Sequence, residues 1–233
     1  MNVIITGASK GLGKAFAEKF AASGHQLFLC ARNEDALLAA KEELLRKHHN
    51  CKIETMAVDI SKKENATAFG NFCLQNATPD ILINNTGSFL PGSIHEENDG
   101  TFEKMLETNL HSAYHLTRTL LPKMIQAKSG HIFNMCSTAS IAAYKNGGSY
   151  SISKFALLGL TKNLREELKS YNIKVTAIIP GAVYTDSWSG SDVKPERIMQ
   201  VDDIANMVYA ASLLSPQACV EEILVRPQLG DLD

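Results

Sequence analysis

Short apolar runs alternate along the chain with longer segments of helical periodicity. Residues 3–5 and 81–83 are apolar at every position, which is typical of parallel strands that helices cover on both faces. Strands are predicted at residues 2–6, 26–30, 52–58, 81–84, 131–136, 174–179 and 222–225. Helices are predicted between them, at residues 12–23, 34–49, 62–76, 99–127, 151–170 and 201–214. This alternation predicts an α/β fold with a doubly wound parallel sheet of about seven strands and right-handed crossovers.

Composition and charge narrow the class of protein. The 233 residues are 45% hydrophobic and 21% charged, with a formal net charge of −2, so no basic field favours nucleic acid or an anionic membrane as partner. No apolar run could span a bilayer, and the N-terminus lacks the basic and apolar regions of a signal peptide. No Pro/Gly/Ser-rich linker divides the chain. We therefore expect one cytoplasmic domain over residues 1–233.

Cysteine and histidine spacing gives no sign of a metal site. The five cysteines are odd in number and form no CxxC pair; they are Cys30, Cys51, Cys73, Cys136 and Cys219. A disulfide framework or a structural zinc site needs paired spacing, and the histidines form no HExxH motif. We expect reduced thiols that pack as small hydrophobic side chains, and no bound metal.

A glycine-rich turn directly follows the first predicted strand and precedes a helix. Residues 6–13 read TGASKGLG, with the glycine spacing GxxxGxG. Glycines at such a turn let the backbone approach a pyrophosphate at the helix N-terminus. The alternative is a turn that is rich in glycine for steric reasons alone, but its place between strand and helix favours a dinucleotide. The residues predicted to bind the cofactor here are Gly7, Ser9, Lys10, Gly11, Leu12 and Gly13.

At this motif the chain resembles the short-chain dehydrogenase/reductase family, whose Rossmann-type members carry TGxxxGxG in the same place. The resemblance extends from Asn2 to about Val225. It implies that Asp59, after the third strand, contacts the adenine, although an aspartate there is equally consistent with a helix cap. After the fourth strand, NNTG stands where the family has NNAG. That segment implies cofactor contacts by Asn85, Thr86 and Gly87.

Two further segments match the family beside the nicotinamide and the reacting atoms. Residues 180–185 read PGAVYT and resemble the family's PGxxxT, which implies cofactor contacts by Pro180, Gly181, Val183 and Thr185. A proline and a glycine there are also consistent with a simple strand end. Residues 134–137 read NMCS and resemble the family's NxSS, with Cys136 in place of the first serine. The resemblance implies that Ser137 hydrogen-bonds the substrate oxygen; the alternative is a polar residue that caps a turn.

Tyr150 and Lys154 form the one YxxxK motif of the chain, near the start of a predicted helix. Residues four apart share a helix face, so the phenol and the ammonium can face one pocket. A free phenol has a pKa of about 10, and a nearby ammonium would lower that pKa and make the tyrosine a usable acid or base. The resemblance implies that both residues also contact the cofactor, with Lys154 at its ribose.

Asn109 lies inside the helix predicted over residues 99–127. In the family an asparagine at this place distorts the helix and holds a water against the lysine, which implies a proton relay to bulk water. The alternative is an ordinary solvated asparagine, since this residue is mildly unfavourable in a helix interior. The catalytic residues expected from the resemblance are Asn109, Ser137, Tyr150 and Lys154.

The end of the second strand favours NADP(H) over NAD(H). Enzymes that bind the unphosphorylated cofactor place a carboxylate there for the ribose 2′-hydroxyl, but this strand ends LCARN, with no carboxylate before Glu34. Arg32 offers a planar fork suited to a phosphate, and Lys10 would add a second positive charge. The alternative is that both are ordinary solvated charges.

Together these motifs imply a reversible hydride transfer between a nicotinamide cofactor and a small-molecule carbonyl or secondary alcohol. The alternative is a sensor or regulatory protein that binds dinucleotide without turnover, although all four catalytic positions are filled. Substrate contacts are expected from Ser137, Tyr150, Tyr184 and Trp188, with a short mobile lid at about residues 186–200. The apolar run at residues 155–160 predicts a homo-dimer or homo-tetramer, unless that helix is buried within its own subunit.

Overall fold

One parallel sheet contains all seven predicted strands within residues 1–185, 188, 190 and 192–232, which the computed structural model describes. Each strand bound lies within one residue of its prediction. The strands are β1 (Asn2–Thr6), β2 (Gln26–Ala31), β3 (Lys52–Ala57), β4 (Ile81–Asn84), β5 (Gly130–Met135), β6 (Ile173–Pro180) and β7 (Glu222–Val225). Their order across the sheet is β3-β2-β1-β4-β5-β6-β7. The predicted doubly wound parallel sheet is thereby confirmed.

Seven α-helices connect these strands in the described ranges, and one predicted helix proves to be discontinuous. They are α1 (Gly11–Ala22), α2 (Glu34–Lys47), α3 (Lys63–Asn76), α4 (Thr101–Leu106), α5 (Ser112–Ala127), α6 (Gly148–Leu168) and α7 (Val201–Ser212). The single helix predicted over residues 99–127 is wrong, because a π-helical turn at Glu107–His111 separates α4 from α5. Short 3₁₀ turns occur at Thr138–Ser140, Lys169–Tyr171 and Pro195–Arg197.

Helices cover both faces of the sheet, as the all-apolar strands predict. Val3 and Ile5 of β1 pack with α1, α2 and α7 on one face. Ile4 points the other way and packs with α3, α5 and the C-terminal half of α6. Successive residues of a strand face opposite sides, so a strand buried on both sides must be apolar throughout.

The cysteines belong to this interior. All five are free, four of them buried and Cys219 half-buried. The described part of the chain contains no group of three or more His, Cys, Asp or Glu side chains placed to hold a metal ion. Among those same residues, no helix combines the length and apolar character needed to cross a membrane.

The strand order creates a crevice between the carboxyl ends of β1 and β4. β1 pairs with β2 on one side and with β4 on the other, so the connections leave β1 and β4 in opposite directions. In open α/β sheets, ligands bind at this switch point. The segments that follow β1, β4, β5 and β6 are the four that carry the sequence motifs.

Candidate active site

The glycine-rich turn after β1 needs glycine at three positions, two because of their backbone conformation and one because of its close packing. Gly7 and Gly11 have φ of +66° and +54°, in the left-handed region where a Cβ is unfavourable. A Cβ on Gly13 would overlap the carbonyl group of Gly7. The turn is therefore as tight as the GxxxGxG spacing predicts, and it leaves the N-terminus of α1 facing the crevice.

The remaining cofactor-binding residues predicted in this turn lie around that N-terminus. Lys10 occupies the N-cap position of α1, and its carbonyl accepts the first helical hydrogen bond, from Lys14 at 3.2 Å. Lys10 is exposed, whereas Ser9 and Leu12 are half-buried. The free N–H groups and the positive end of a helix dipole suit an anion. The turn therefore fits the pyrophosphate of a dinucleotide.

The NNTG segment after β4 holds the glycine turn in place. Thr6 Oγ1 accepts hydrogen bonds from the backbone N–H groups of Asn85 (3.0 Å) and Thr86 (2.9 Å). The Asn85 side chain donates to the carbonyl groups of Thr6 (2.9 Å) and Gly7 (3.3 Å). Asn85 is thus a positioning residue for the turn. Thr6 was not among the predicted site residues, although it is the first letter of the TGxxxGxG motif.

The PGAVYT segment forms the opposite side of the crevice from the glycine turn. Gly11 and Thr185 face each other, since a Cβ on Gly11 would lie 3.5 Å from Thr185 Cγ2. Gly181 packs closely against the C-terminal segment, because a Cβ there would lie 2.7 Å from Asp231 Oδ1. Pro180 ends β6, and the buried Val183 pairs with Met199 in an isolated bridge. Of the four cofactor contacts predicted in this segment, Thr185 faces the glycine turn, whereas Pro180 and Val183 are buried.

Arg32 and Asp59 lie at the outer end of the crevice, after β2 and β3. Arg32 is exposed, and no hydrogen bond or ion pair engages its guanidinium within the described residues. Asp59 Oδ1 accepts a hydrogen bond from Ser61 N–H at 3.1 Å, which closes a local turn. Lys62, not Asp59, occupies the N-cap position of α3, so the helix-cap alternative for Asp59 is wrong.

Tyr150 and Lys154 occupy the first two turns of α6. Lys154 is only 4% exposed, and its Nζ donates to the Met135 carbonyl at 2.7 Å. Nζ lies 5.8 Å from the centroid of the Tyr150 ring. Burial lowers the pKa of Lys154 from 10.5 to about 8, because the ammonium has lost its hydration.

Burial also controls the acidity of the tyrosine. It raises the pKa of Tyr150, and a hydrogen bond with the Ser137 hydroxyl partly opposes that rise. The expectation of a lowered pKa is therefore corrected for the protein alone: loss of hydration around the phenol raises it. Tyr150 stays protonated at neutral pH and can act as a proton donor.

Ser137 serves two purposes at once. Its Oγ accepts from Ala139 N–H at 3.2 Å, and its own N–H donates to Ser140 Oγ at 3.0 Å, which caps the 3₁₀ turn after β5. The same hydroxyl acts to lower the pKa of Tyr150. The capping alternative is thus confirmed, and the cap fixes the orientation of the Ser137 hydroxyl, while its contact with a substrate stays a prediction.

Asn109 lies in the π-helical turn and is only 1% exposed, so the solvated alternative is wrong. Its Oδ1 accepts from Ser88 N–H at 2.8 Å, and its Nδ2 donates to the Ser88 carbonyl at 3.0 Å and to Ser153 Oγ at 2.9 Å. Asn109 and Lys154 approach Gly87 together, since a Cβ there would lie 3.2 Å from Asn109 Oδ1 and 3.4 Å from Lys154 Nζ. Asn109 thus joins the segment after β4 to α6.

One aromatic side chain packs against Tyr150, and two more lie on the segment that follows β6. Phe89, which the sequence analysis missed, packs edge-on against Tyr150 with centroids 4.8 Å apart, and is 49% exposed. Tyr184 is exposed, and its N–H donates to the Met199 carbonyl at 2.7 Å. Trp188 is half-buried, and its N–H donates to the Thr185 carbonyl at 3.0 Å. Residues 186, 187, 189 and 191 of the predicted lid lie outside the described residues.

Known proteins match the chain over nearly its whole length. The profile of the short chain dehydrogenase family matches residues 1–195. Sepiapterin reductase from Chlorobaculum tepidum is 32% identical, over 99% of this chain and 97% of that protein. An alcohol dehydrogenase from Thermococcus sibiricus, complexed with 5-hydroxy-NADP, has a TM-score of 0.92 at 26% identity, covering 100% and 98% of the two chains. L-sorbose reductase from Gluconobacter frateurii, complexed with NADPH and L-sorbose, has a TM-score of 0.87 at 26% identity, covering 96% and 94%.

Proposed function

Because this chain belongs to the short-chain dehydrogenase/reductase family, we propose that it catalyses reversible hydride transfer between NADP(H) and a small-molecule carbonyl or secondary alcohol. One observation carries the proposal. The Tyr150 ring lies 5.8 Å from the Nζ of the buried Lys154, and the Ser137 hydroxyl acts to lower the pKa of its phenol. A dinucleotide-binding sensor has no need of a protonated phenol paired with a second hydroxyl in that position.

The residues around the crevice support NADP(H) as the cofactor. The glycine turn and the N-terminus of α1 would hold the pyrophosphate, and Arg32 would bind the 2′-phosphate through its exposed guanidinium. Relatives of this fold have been solved with 5-hydroxy-NADP and with NADPH. The nicotinamide supplies the hydride when it is bound, and the protein supplies position and electrostatics. Lys154 would donate to the ribose hydroxyls.

Tyr150 would act as the general acid in the reducing direction. Its raised pKa keeps the proton on the phenol until negative charge develops on the substrate oxygen, which Ser137 would hold through its hydroxyl. As the proton leaves, the Lys154 ammonium stabilises the phenolate. Asn109 keeps α6 and the segment after β4 together, and a proton relay past Gly87 would return a proton to Tyr150.

We also propose that the protein is a homo-dimer or homo-tetramer. Leu157 and Leu158 of α6 are buried within the subunit, so part of the apolar run is covered by the chain itself. Ile152 and Phe155 lie on another face of α6 and are exposed, as is Tyr114 of α5. Exposed apolar side chains on these two helices suit an isologous contact with a second copy.

NADPH oxidation, followed by absorbance, tests the proposed reaction. The purified protein is mixed with NADPH or NADH and with sepiapterin, L-sorbose or a simple cyclic ketone. We expect turnover with at least one carbonyl, and faster turnover with NADPH. Tight NADPH binding without oxidation of any substrate class would favour the sensor instead.

Tyr150→Phe identifies the acid in the same assay. It should lower the rate by about 10²- to 10⁴-fold and leave the NADPH dissociation constant within about twofold. Tyr171→Phe, at an exposed tyrosine on the 3₁₀ turn after α6, is the matched control and should retain the wild-type rate. A Tyr150→Phe enzyme with more than about half of that rate contradicts the assignment.

A further inference from the structure

Glu97 joins the loop between β4 and α4 to the first turn of α6. Its Oε1 accepts a hydrogen bond from Ser149 N–H at 2.8 Å, and its Oε2 accepts from the Ser149 hydroxyl. Ser149 is buried and directly precedes Tyr150. Both oxygens of one carboxylate therefore hold the residue next to the proposed general acid, and no sequence motif used above includes Glu97.

The Glu97 carboxylate supplies the capping acceptor and the negative charge that α6 lacks at its own N-terminus. The first N–H groups of a helix have no partner within the helix, and its N-terminus carries partial positive charge. The N-cap residue of α6 is Gly147, which has no side chain, and the first turn of α6 contains no acidic residue. Glu97, 52 residues away along the chain, takes the place of a local capping side chain.

The backbone around this contact is shaped to admit the carboxylate. Gly148 has φ of +38°, and a Cβ there would overlap Glu97 Oε1 and the Gly92 carbonyl oxygen. The loop makes two further hydrogen bonds to Asn146, from Gly92 N–H at 3.0 Å and from Ser93 Oγ at 2.9 Å. The contact therefore belongs to a closely fitted junction between the loop and the start of α6.

The same loop is held at its other end by Asn109, which binds both backbone groups of Ser88. Phe89 follows Ser88 and packs edge-on against the Tyr150 ring. Asn109 and Glu97 thus fix the two ends of a segment that contacts Tyr150 between them. Displacement of either end would change the surroundings of the phenol.

We propose that Glu97 is a positioning residue that sets Tyr150 relative to Ser137 and Phe89. The proposal rests on the proposed function, in which Tyr150 donates the proton. Without the carboxylate, the first turn of α6 loses two hydrogen bonds and its dipole partner, so the position of Tyr150 relative to Ser137 changes. The glycine turn and Arg32 are on other elements, and Lys154, in the second turn of α6, stays anchored to the Met135 carbonyl, so NADPH binding should change little.

Kinetic constants of four variants test this role. Glu97→Ala should lower kcat by roughly ten- to a hundredfold, the range expected when a catalytic group is misplaced, with the NADPH dissociation constant within about twofold. Glu97→Gln keeps a hydrogen-bonding amide in place and should restore kcat to within about fivefold of wild type. Ser149→Ala removes only the hydroxyl contact and should give an intermediate kcat.

Glu96→Ala is the matched control on the same loop. The Glu96 side chain is 71% exposed and lies 3.7 Å from His95, so its removal should leave kcat unchanged. NADPH titration measures the concentration of folded sites, and kcat is expressed per site. The proposal is overturned if Glu97→Ala retains kcat per site within twofold of Glu96→Ala. It is also overturned if the kcat of Glu97→Gln is no higher than that of Glu97→Ala. If Glu97→Ala does not fold, Ser149→Ala decides: a kcat per site below that of Glu96→Ala supports the proposal, and an equal kcat overturns it.

A measurement without turnover separates this proposal from the proposed function. The Tyr150 phenol is titrated by NMR in tyrosine-labelled protein, with Tyr150→Phe to assign its signal. Because the Ser137 hydroxyl acts to lower the pKa of Tyr150, displacement of the phenol from Ser137 should raise that pKa in Glu97→Ala and leave it unchanged in Glu96→Ala. If wild type oxidises no NADPH, the proposed function fails, and this titration still decides whether Glu97 positions the phenol. An unchanged pKa in Glu97→Ala overturns the positioning role.

Discussion

Replacing Lys154 with methionine should abolish turnover and, at the same time, relieve a buried charge. Lys154 is almost fully buried, and its pKa is lowered from 10.5 to about 8. At about 1.4 kcal/mol per pH unit, this difference corresponds to roughly 3 kcal/mol of lost stability while the lysine is charged. That cost is fully present below pH 8. It declines as the pH rises from about 8 toward 10.5, because there the folded state releases its proton before the unfolded state does.

The methionine introduces a cost of its own. Lys154 Nζ donates to the Met135 carbonyl at 2.7 Å, and a buried carbonyl without its partner costs about 1–3 kcal/mol. At pH 7 the free energy of unfolding of the variant should therefore exceed that of wild type by about 0–2 kcal/mol. The carbonyl does not titrate, so the pH dependence of the difference reports the ammonium alone. Between about pH 7 and 9.5, the free energy of unfolding of wild type should rise by about 2 kcal/mol relative to that of the variant.

Urea unfolding, followed by circular dichroism at both pH values, measures this difference. Lys162→Met is the control, because Lys162 lies on the same helix but is largely exposed and paired with Glu222 at 3.1 Å. A surface pair is worth about 0–1 kcal/mol, so the control should show a small difference that changes little with pH. If Lys154→Met loses more than about 3 kcal/mol at pH 7, or if its difference from wild type does not change with pH, the inferred cost of the buried ammonium is wrong.

Three further variants test separate parts of the structure. Arg32→Ala should weaken NADPH binding by roughly ten- to a hundredfold and leave NADH unchanged, measured by fluorescence titration; an equal loss for both cofactors would contradict the 2′-phosphate contact. Gly13→Ala should abolish dinucleotide binding because its Cβ would overlap the Gly7 carbonyl, and a variant that binds NADPH normally would show that the turn can relax. Phe155→Asp should lower the mass measured by light scattering to that of a monomer, whereas a wild-type protein already monomeric at micromolar concentration would refute the proposed assembly.

The central strands β1 and β4 are well predicted from sequence, since burial on both faces leaves residues 3–5 and 81–83 without a polar side chain. Residues 81–83 show this best, and β4 matches its predicted bounds fully. The order of the strands in the sheet, by contrast, is not predicted from sequence. β1 pairs with both β2 and β4, and these long-range pairings leave no local pattern in the sequence.

The candidate site likewise has a part that short motifs predict and a part that depends on contacts between distant segments. The family resemblance locates Tyr150, Lys154 and Ser137 because these residues occur in short motifs. The resemblance implies that Asn109 distorts its helix, but the form of the distortion is not predicted, because the hydrogen bonds of Asn109 to Ser88 and Ser153 bring together three separate segments. Glu97 has no local signature either. The direction of the Tyr150 pKa shift depends on burial, which the presence of a lysine four residues later does not reveal.

The junction of β1 with β4 determines when the protein can first bind a dinucleotide as it folds. Val3 pairs with Ile81, 78 residues away, whereas Asn2 pairs with Gln26 only 24 residues away. Closing the longer loop costs more entropy, and such distant contacts slow folding. A partly synthesised chain that ends after β3 can pair three strands but has no crevice. A dinucleotide therefore stabilises by mass action only those molecules in which the central pairing is complete, so a cell rich in the cofactor would selectively protect finished copies from proteolysis.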